Sequence, residues 1–410
     1  MSDGPEILAS PFTLPSGQVI KNRLVKSARS ETLATPDNSV SDALVTLYRR
    51  WARGGIGLAM TGNVMVDRLA LGEPGNVAIE DDRDLAALQQ WVAAMHEHGA
   101  LLYMQLNHPG RQAPRFINDV AFAPSAVPMK PDFEAYFPPP QPLTGEQITG
   151  IIERFATAAA VAQQAGFDGV QVHGAHGYLV NQFLSPLTNQ RTDEWGGTPE
   201  KRRRFPLEIV RAIRARTGAD FPVAIKINSA DFQRGGFTEE ESMAAIDALV
   251  EAGIEFVEVS GGTYEAPEMM TARSSTRERE GYFLQFAEKV RDRVDVPLVV
   301  TGGFRSGAAM STAIASGAID LVGMARPLVV NPDFPSQLVS DPDAREEIQP
   351  RRTGLKFVDR IGMLETLWYE LQLHRIGHGK EPRPHENALL SLVAHGLSAG
   401  VNGFRTRRGR

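Results

Sequence analysis

The sequence predicts an α/β protein built as a single (β/α)8 TIM barrel, and three observations carry that expectation. Eight short runs rich in β-branched and aliphatic residues recur along the 410-residue chain, each followed by a stretch of helical periodicity. No topological break divides the eight repeats, so closure is favoured over an open doubly wound sheet. Alternation within several runs also collects inward-facing polar side chains at strand C-terminal ends, where barrels carry their chemistry.

Before the first strand, "PFTLPSGQVIKNR" reads as a hairpin turning at Ser16-Gly17, suited to plug the barrel's bottom. The strands are expected over 22–27, 56–63, 100–107, 169–175, 223–229, 256–262, 297–303 and 321–326. Between them, "TGEQITGIIERFATAAAVAQQAG" is a helix with a capping box at Thr144 and Gln147 and a stop at Gly166. "TEEESMAAIDALVEAG" repeats the device with Thr238, Glu241 and Gly253. In "GVQVHG" the valines 170 and 172 should pack against helices, leaving Gln171 and His173 inward. The same alternation turns Gln105, Lys226 and Glu258 inward. The connections 107–143 and 263–281 are long, proline- and aromatic-rich in the first case and carrying Arg273, Arg277 and Arg279 in the second. Both are expected to be ordered lids over the mouth. Residues 1–340 form the barrel in this division, and 341–410 a helical extension on or beside it, including "MLETLWYELQLHRIGHG".

Composition removes several classes of function. The chain has no cysteine, which excludes disulfides, thiolate metal sites, iron–sulfur clusters and cysteine nucleophiles. A net charge of −6 with interspersed signs argues against a nucleic-acid surface. "MSDGPEILASPF" has no basic region followed by an apolar core, and no run approaches the roughly 20 apolar residues of a membrane span. A cytoplasmic enzyme is expected, without nucleic-acid or membrane partners; the sequence leaves a homo-oligomer open. No G-x-G-x-x-G follows a strand and no Walker A, G-x-S-x-G or H-E-x-x-H sequence occurs. A nicotinamide nucleotide would therefore visit the barrel mouth as a substrate.

The fourth strand leaves through "HGAHGYL", which sets His173, His176 and Tyr178 in one turn. Two imidazoles and a phenol are more than a corner needs. A metal site is not expected, because no carboxylates complete a ligand set and the His96-x-His98 pair ends a helix, where a solvated cap is the simpler reading. Gly302-Gly303 after the seventh strand and "GMAR" (323–326) at the eighth stand where barrels bind phosphate, with Arg326 as a forked clamp. Lys226 inside a barrel needs an anion nearby. An internal pair with Glu258, a Schiff-base role and a contact to an anionic ligand all remain open at this point.

The segments "KNRLVKSA", "MQLNHPGRQ", "GFDGVQVHGAHGYLVNQFLSPLTNQRTDEWGG", "DFQRGGFT", "VVTGG" and "GMARPLV" resemble the Old Yellow Enzyme family of FMN-dependent ene-reductases. The likeness runs over roughly residues 10 to 340 in the family's order, and the long fourth-strand motif is its most specific part. It implies bound FMN reduced by NADH or NADPH and reoxidised by a small molecule with an electron-poor alkene. By the resemblance, His173 and His176 hydrogen-bond the acceptor oxygen and Tyr178 protonates the α-carbon. Gln105 and Lys226 would meet the flavin's pyrimidine edge. Ser27, Ala28, Ser30 and Gly62 would touch its ring system, and Gly302, Gly303, Ala325 and Arg326 its phosphate. The chain departs from the family's pattern in three places: Lys226 stands where an arginine is usual, Ser30 where threonine or cysteine is, and Arg29 where an apolar residue is. Rival expectations are a flavin-dependent dehydrogenase of a ring or amine, a Schiff-base aldolase using Lys226, and an idle flavin-binding protein.

Overall fold

A computed structural model of the chain describes residues 6–263, 265, 280–341, 343–347 and 364–389. Eight parallel strands form inside the eight predicted windows: β1 (Leu24–Lys26), β2 (Leu58–Met60), β3 (Leu101–Asn107), β4 (Gly169–Gly174), β5 (Val223–Asn228), β6 (Val257–Ser260), β7 (Leu298–Thr301) and β8 (Leu321–Met324). They pair in chain order, and β8 returns to β1 through Val322 opposite Leu24, so the barrel closes. The register sets His173 of β4 beside Lys226 of β5, and Lys226 beside Glu258 of β6. Two short strands, Val64–Met65 and Val77–Ala78, add to the sheet beside the end of β3. Two-residue strands carry no periodicity, so sequence could not announce them.

The helices that wrap the barrel are α1 (Asp42–Arg53), α2 (Leu85–His96), α3 (Gly145–Ala165), α4 (Arg204–Thr217), α5 (Glu239–Glu251), α6 (Leu284–Arg291) and α7 (Gly307–Ala315). Both predicted capping boxes form: Thr144 accepts from Gln147 N–H, Thr238 from Glu241 N–H, and each partner side chain reaches back. Gly166 ends α3 at φ +89°, a left-handed turn that a side chain would strain. His96 ends α2 as expected but does not simply face solvent. It pairs with Asp168 at 2.8 Å, which raises its pKa through that hydrogen bond. A further helix, α8 (Leu364–Gly377), packs against α1 and the short helix Arg326–Val330.

Strand alternation divides the buried residues into two sets. Leu102, Met104, Leu106, Val170, Val172, Val223, Ile225 and Ile227 face outward into the helix shell. Inside the barrel, Val25, Leu58, Met60, Tyr103, Ala224, Phe256, Val299 and Leu321 form an apolar plug. The N-terminal hairpin, pairing Phe12 with Ile20 and Thr13 with Val19, closes this plug from below with Leu14 and Ile20. Burying one such side chain is worth about 1.5–3 kcal/mol, so the sealed bottom supplies stability and leaves the other end for chemistry.

The connection 107–143 is ordered, with a helical turn at Gly110–Gln112 and parallel pairing of Phe122–Ala123 with Gln141–Pro142. None of its residues lines the central cavity. It buttresses the β4 turn instead: Leu179 N–H donates to His108 O, and Gln112 Nε2 donates to His176 O at 3.2 Å. Arg273, Arg277 and Arg279 of the other long connection lie outside the described residues.

Candidate active site

Above the apolar plug the barrel interior turns polar and opens into a cavity of about 310 Å³. Eleven residues singled out from sequence line this one cavity: Ala28, Ser30, Gln105, His173, His176, Tyr178, Lys226, Gly302, Gly303, Ala325 and Arg326. Ser27 and Gly62 do not. Ser27 lies below the floor, its hydroxyl 2.6 Å from that of Thr301. The two fit because position 323 is glycine; a Cβ there would sit 1.9 Å from Thr301 Oγ1. Gly62 is displaced because its N–H donates to the Glu31 carboxylate at 3.0 Å. Glu31 is drawn in by Lys26, whose ammonium also reaches Tyr48 Oη and Met60 O. Gly62 therefore serves an internal ion pair, and a ligand does not find its N–H free.

His173, His176 and Tyr178 stand ring to ring. The imidazoles meet edge-to-face with centroids 5.1 Å apart, and Tyr178 lies 4.9 Å from His173. His176 adopts φ +61°, uncommon for a non-glycine residue, and Gly177 follows at +79°. This strained turn is what sends both rings to the same side. The Ala175 N–H donates to His173 Nδ1 at 3.3 Å, so the ring carries its proton on Nε2 when neutral. His176 Nε2 lies 2.8 Å from Ser260 Oγ. Burial, followed by the charges of His176 and Lys226, pushes His173 well below its ordinary pKa. Burial and Lys226 push His176 down to about 3. At neutral pH both rings are uncharged N–H donors. Tyr178 Oη accepts from Asn63 Nδ2 at 3.4 Å.

The floor holds Gln105 and Lys226. Lys226 Nζ is 3.0 Å from Glu258 Oε1, so the internal ion pair forms and Lys226 lines the cavity as well. The two readings of this lysine were never exclusive. Burial alone would raise Glu258, but the Lys226 charge and hydrogen bonds from Thr301 and Gln171 hold it below the ordinary carboxylate range. Past the C-terminal ends of β7 and β8, Gly302 (φ +137°) and Gly303 (φ +84°) line the same cavity as Arg326. A Cβ on Gly303 would lie 2.5 Å from the Tyr282 ring. A flat heteroaromatic ring with one polar edge and one phosphate matches this layout: polar side chains deep in the barrel, a bare-backbone cradle with a guanidinium at its rim.

The third wall was not anticipated. Arg29 stacks over the Tyr369 ring at 4.7 Å, and Glu73 and Glu370 adjoin it. Burial and the charge of Glu73 push Glu370 up to about 8, against the pull of Arg29. Tyr369 and Glu370 belong to α8. The sequence announces that helix but nothing in it says that the helix docks on the barrel mouth. Asn63 and Glu73, in loops without a motif, also line the cavity, as does Tyr282 just past the second long connection. The arginine at position 29 was the one available signal, since a charged residue there needs a partner from somewhere.

No helix among the described residues is long and apolar enough to cross a membrane. The family model for the NADH:flavin oxidoreductase / NADH oxidase family matches residues 8–343. The chain is 39% identical over 365 residues to the NADH-dependent flavin oxidoreductase iliE of Neonectria sp. (strain DH2), covering 82% of this chain and 47% of that one, so it spans about half that relative's length. It is 38% identical over 368 residues to iccE of Talaromyces variabilis, an NADH-dependent flavin oxidoreductase, covering 83% of this chain and 88% of that one. Among solved structures, morphinone reductase superposes with a TM-score of 0.69 at 27% identity, over 84% of this chain and 92% of that one. The chain therefore belongs to the NADH:flavin oxidoreductase / NADH oxidase family, of the Old Yellow Enzyme type, as an oxidoreductase with FMN as cofactor and NADH or NADPH as hydride donor.

Proposed function

We propose that this oxidoreductase reduces the activated C=C bond of a small α,β-unsaturated carbonyl compound or nitroalkene, at the expense of NAD(P)H. The observation that supports this most directly is the ring cluster of His173, His176 and Tyr178 over the polar floor formed by Gln105 and Lys226. The chemistry supplied by the bound cofactor is hydride relay, from the nicotinamide in one half-reaction and to the alkene β-carbon in the other. Gln105, Lys226, Ala28 and Ser30 would hold the ring system, and Gly302, Gly303, Ala325 and Arg326 the phosphate.

The side chains then divide the remaining work. His173 and His176, uncharged, donate N–H bonds to the acceptor's carbonyl or nitro oxygen and stabilise the negative charge that grows there as hydride arrives. Neutral donors suit this role, because they polarise the oxygen without surrendering a proton to it. Tyr178 delivers a proton from Oη to the α-carbon and recovers it from solvent, so each turnover consumes one NAD(P)H and one proton. Both partners use one cavity in succession, which makes turnover ping-pong.

An aldolase is disfavoured, because an amine held 3.0 Å from a carboxylate is a poor nucleophile. The test is anaerobic and stepwise. NAD(P)H should bleach the bound flavin, and 2-cyclohexenone should restore its colour with stoichiometric formation of cyclohexanone. Reoxidation by dioxygen or a quinone but by no enone or nitroalkene would overturn the proposal while leaving the family intact.

A further inference from the structure

Directly beneath the cavity floor, Glu258 is completely buried and its carboxylate accepts from three side chains. Oε1 accepts from Lys226 Nζ at 3.0 Å and from Thr301 Oγ1 at 2.7 Å, and Oε2 accepts from Gln171 Nε2 at 2.8 Å. An ionised carboxylate has no proton to give, so the direction of every one of these bonds is fixed. Gln171 must turn its NH2 toward Glu258 and its carbonyl away. That carbonyl accepts from Gln105 Nε2 at 2.7 Å. Gln105 has thereby committed its nitrogen side to Gln171, and its Oε1 is the atom left to face the cavity. The buried charge also stands behind Lys226 and offsets part of the positive charge that the ammonium presents upward.

We infer that Glu258 is a positioning residue of the cofactor site. Through Gln171 it sets Gln105 as a hydrogen-bond acceptor toward an imide N–H of the bound ring, and it moderates the charge that Lys226 lends to the reduced ring. The inference rests on the FMN site described above. It assigns a role to two residues, Glu258 and Gln171, that do not line the cavity.

The bond directions make the consequences of substitution specific. Glu258→Gln is isosteric, and the Lys226 ammonium, which can only donate, requires an acceptor at Oε1. The new NH2 therefore takes the place of Oε2, against Gln171. Gln171 must flip, Gln105 flips in turn, and a donor now faces the imide N–H. FMN should bind at least tenfold more weakly. At the same time the uncompensated Lys226 should favour the reduced flavin at least tenfold, a rise of about 30 mV in the two-electron midpoint potential. Gln171→Leu cuts the relay and keeps the ion pair, so FMN affinity should fall tenfold with the potential unchanged. The double variant Glu258→Gln, Gln171→Glu restores the bond directions, because the new glutamate accepts from both neighbours. Its FMN affinity should return to within about threefold of the wild type.

Isothermal titration of FMN and spectroelectrochemistry of the holoenzymes read both quantities. A packing defect would weaken FMN binding but would neither raise the potential nor be cured by the swap. Wild-type affinity in Glu258→Gln, or failure of a folded double variant to recover, overturns the relay. If Glu258→Gln does not fold, a wild-type affinity in Gln171→Leu overturns it equally. A wild-type protein that binds no FMN would instead sink the cofactor site itself.

Discussion

The two ends of the barrel interior are built from the same eight strands but obey opposite rules. Below, Val25, Leu58, Phe256, Val299 and Leu321 fill space around Tyr103, and the hairpin seals them from water. Above, within one or two residues along the same strands, stand Ser27, Gln105, Gln171, His173, Lys226, Glu258 and Thr301, all buried and hydrogen-bonded. The lower layer tolerates any apolar side chain of suitable volume. The upper layer tolerates almost nothing, because each donor there has one acceptor and a buried polar group left without a partner is expensive. The comparison teaches where to look for function in such a barrel: at the level where packing by volume gives way to packing by hydrogen-bond direction.

Four expected outcomes can break or sharpen that contrast, and the largest comes from the upper end. Tyr178→Phe should leave flavin reduction by NAD(P)H nearly intact and slow reoxidation by an enone 10²–10⁴-fold, roughly 3–5 kcal/mol in the barrier. Stopped-flow traces in which both half-reactions suffer equally would make the tyrosine a packing residue, and some other group the proton donor.

Next comes the lower layer. Phe256→Ala should lower stability by about 3–5 kcal/mol in denaturant unfolding, since Phe256 is fully buried against Tyr103. The rate per folded molecule should not change. A catalytic loss that exceeds the loss of folded protein would show that the two layers are coupled more tightly than their separate chemistry suggests.

The rim offers a pH test. Glu370 is raised to about 8, so the native chain keeps a proton that the unfolded chain releases near the ordinary carboxylate pKa. Its contribution to stability is intact below about pH 4.5, falls as pH rises across the interval, and levels off above about 8. Glu370→Gln should match the wild type at the acid end and exceed it at pH 9, by on the order of 2–4 kcal/mol. Parallel pH–stability curves for the two proteins would contradict the raised value. The smallest effect is expected at the floor. Lys226→Met should lower the flavin midpoint potential and weaken FMN binding, by about 1–3 kcal/mol in either quantity. No change in both would reduce Lys226 to an internal partner of Glu258.

Much of this arrangement is legible before any coordinates. Strand positions follow from short apolar runs separated by capped helices, and the inward set follows from the two-residue period of a strand. That is why Gln105, Gln171, His173, Lys226 and Glu258 can be placed on the inner side from their neighbours alone. Periodicity is a local property, and a barrel strand is straight enough for it to hold. The glycine loops are local as well, since Gly302 and Gly303 adopt positive φ at no steric cost, whereas His176 at φ +61° is held from outside its own turn, its N–H donating to Asn228 Oδ1 and its carbonyl accepting from Gln112 Nε2.

What only the tertiary structure decided involves partners far apart in sequence. The hairpin announces its own turn, but that Leu14 and Ile20 join Phe256 and Val299 depends on closure of the ring. That Glu31, pulled inward by Lys26 and Tyr48, accepts from the Gly62 N–H depends on three separate segments meeting. The docking of α8 on the mouth, which brings Tyr369 to Arg29 and Glu370 toward Glu73, joins residues some 300 positions apart. No pattern within either segment encodes that meeting. Propensity and periodicity act over a few residues, whereas the direction of a buried hydrogen bond or the pKa of a buried carboxyl is fixed by whichever groups the closed fold brings within a few ångströms.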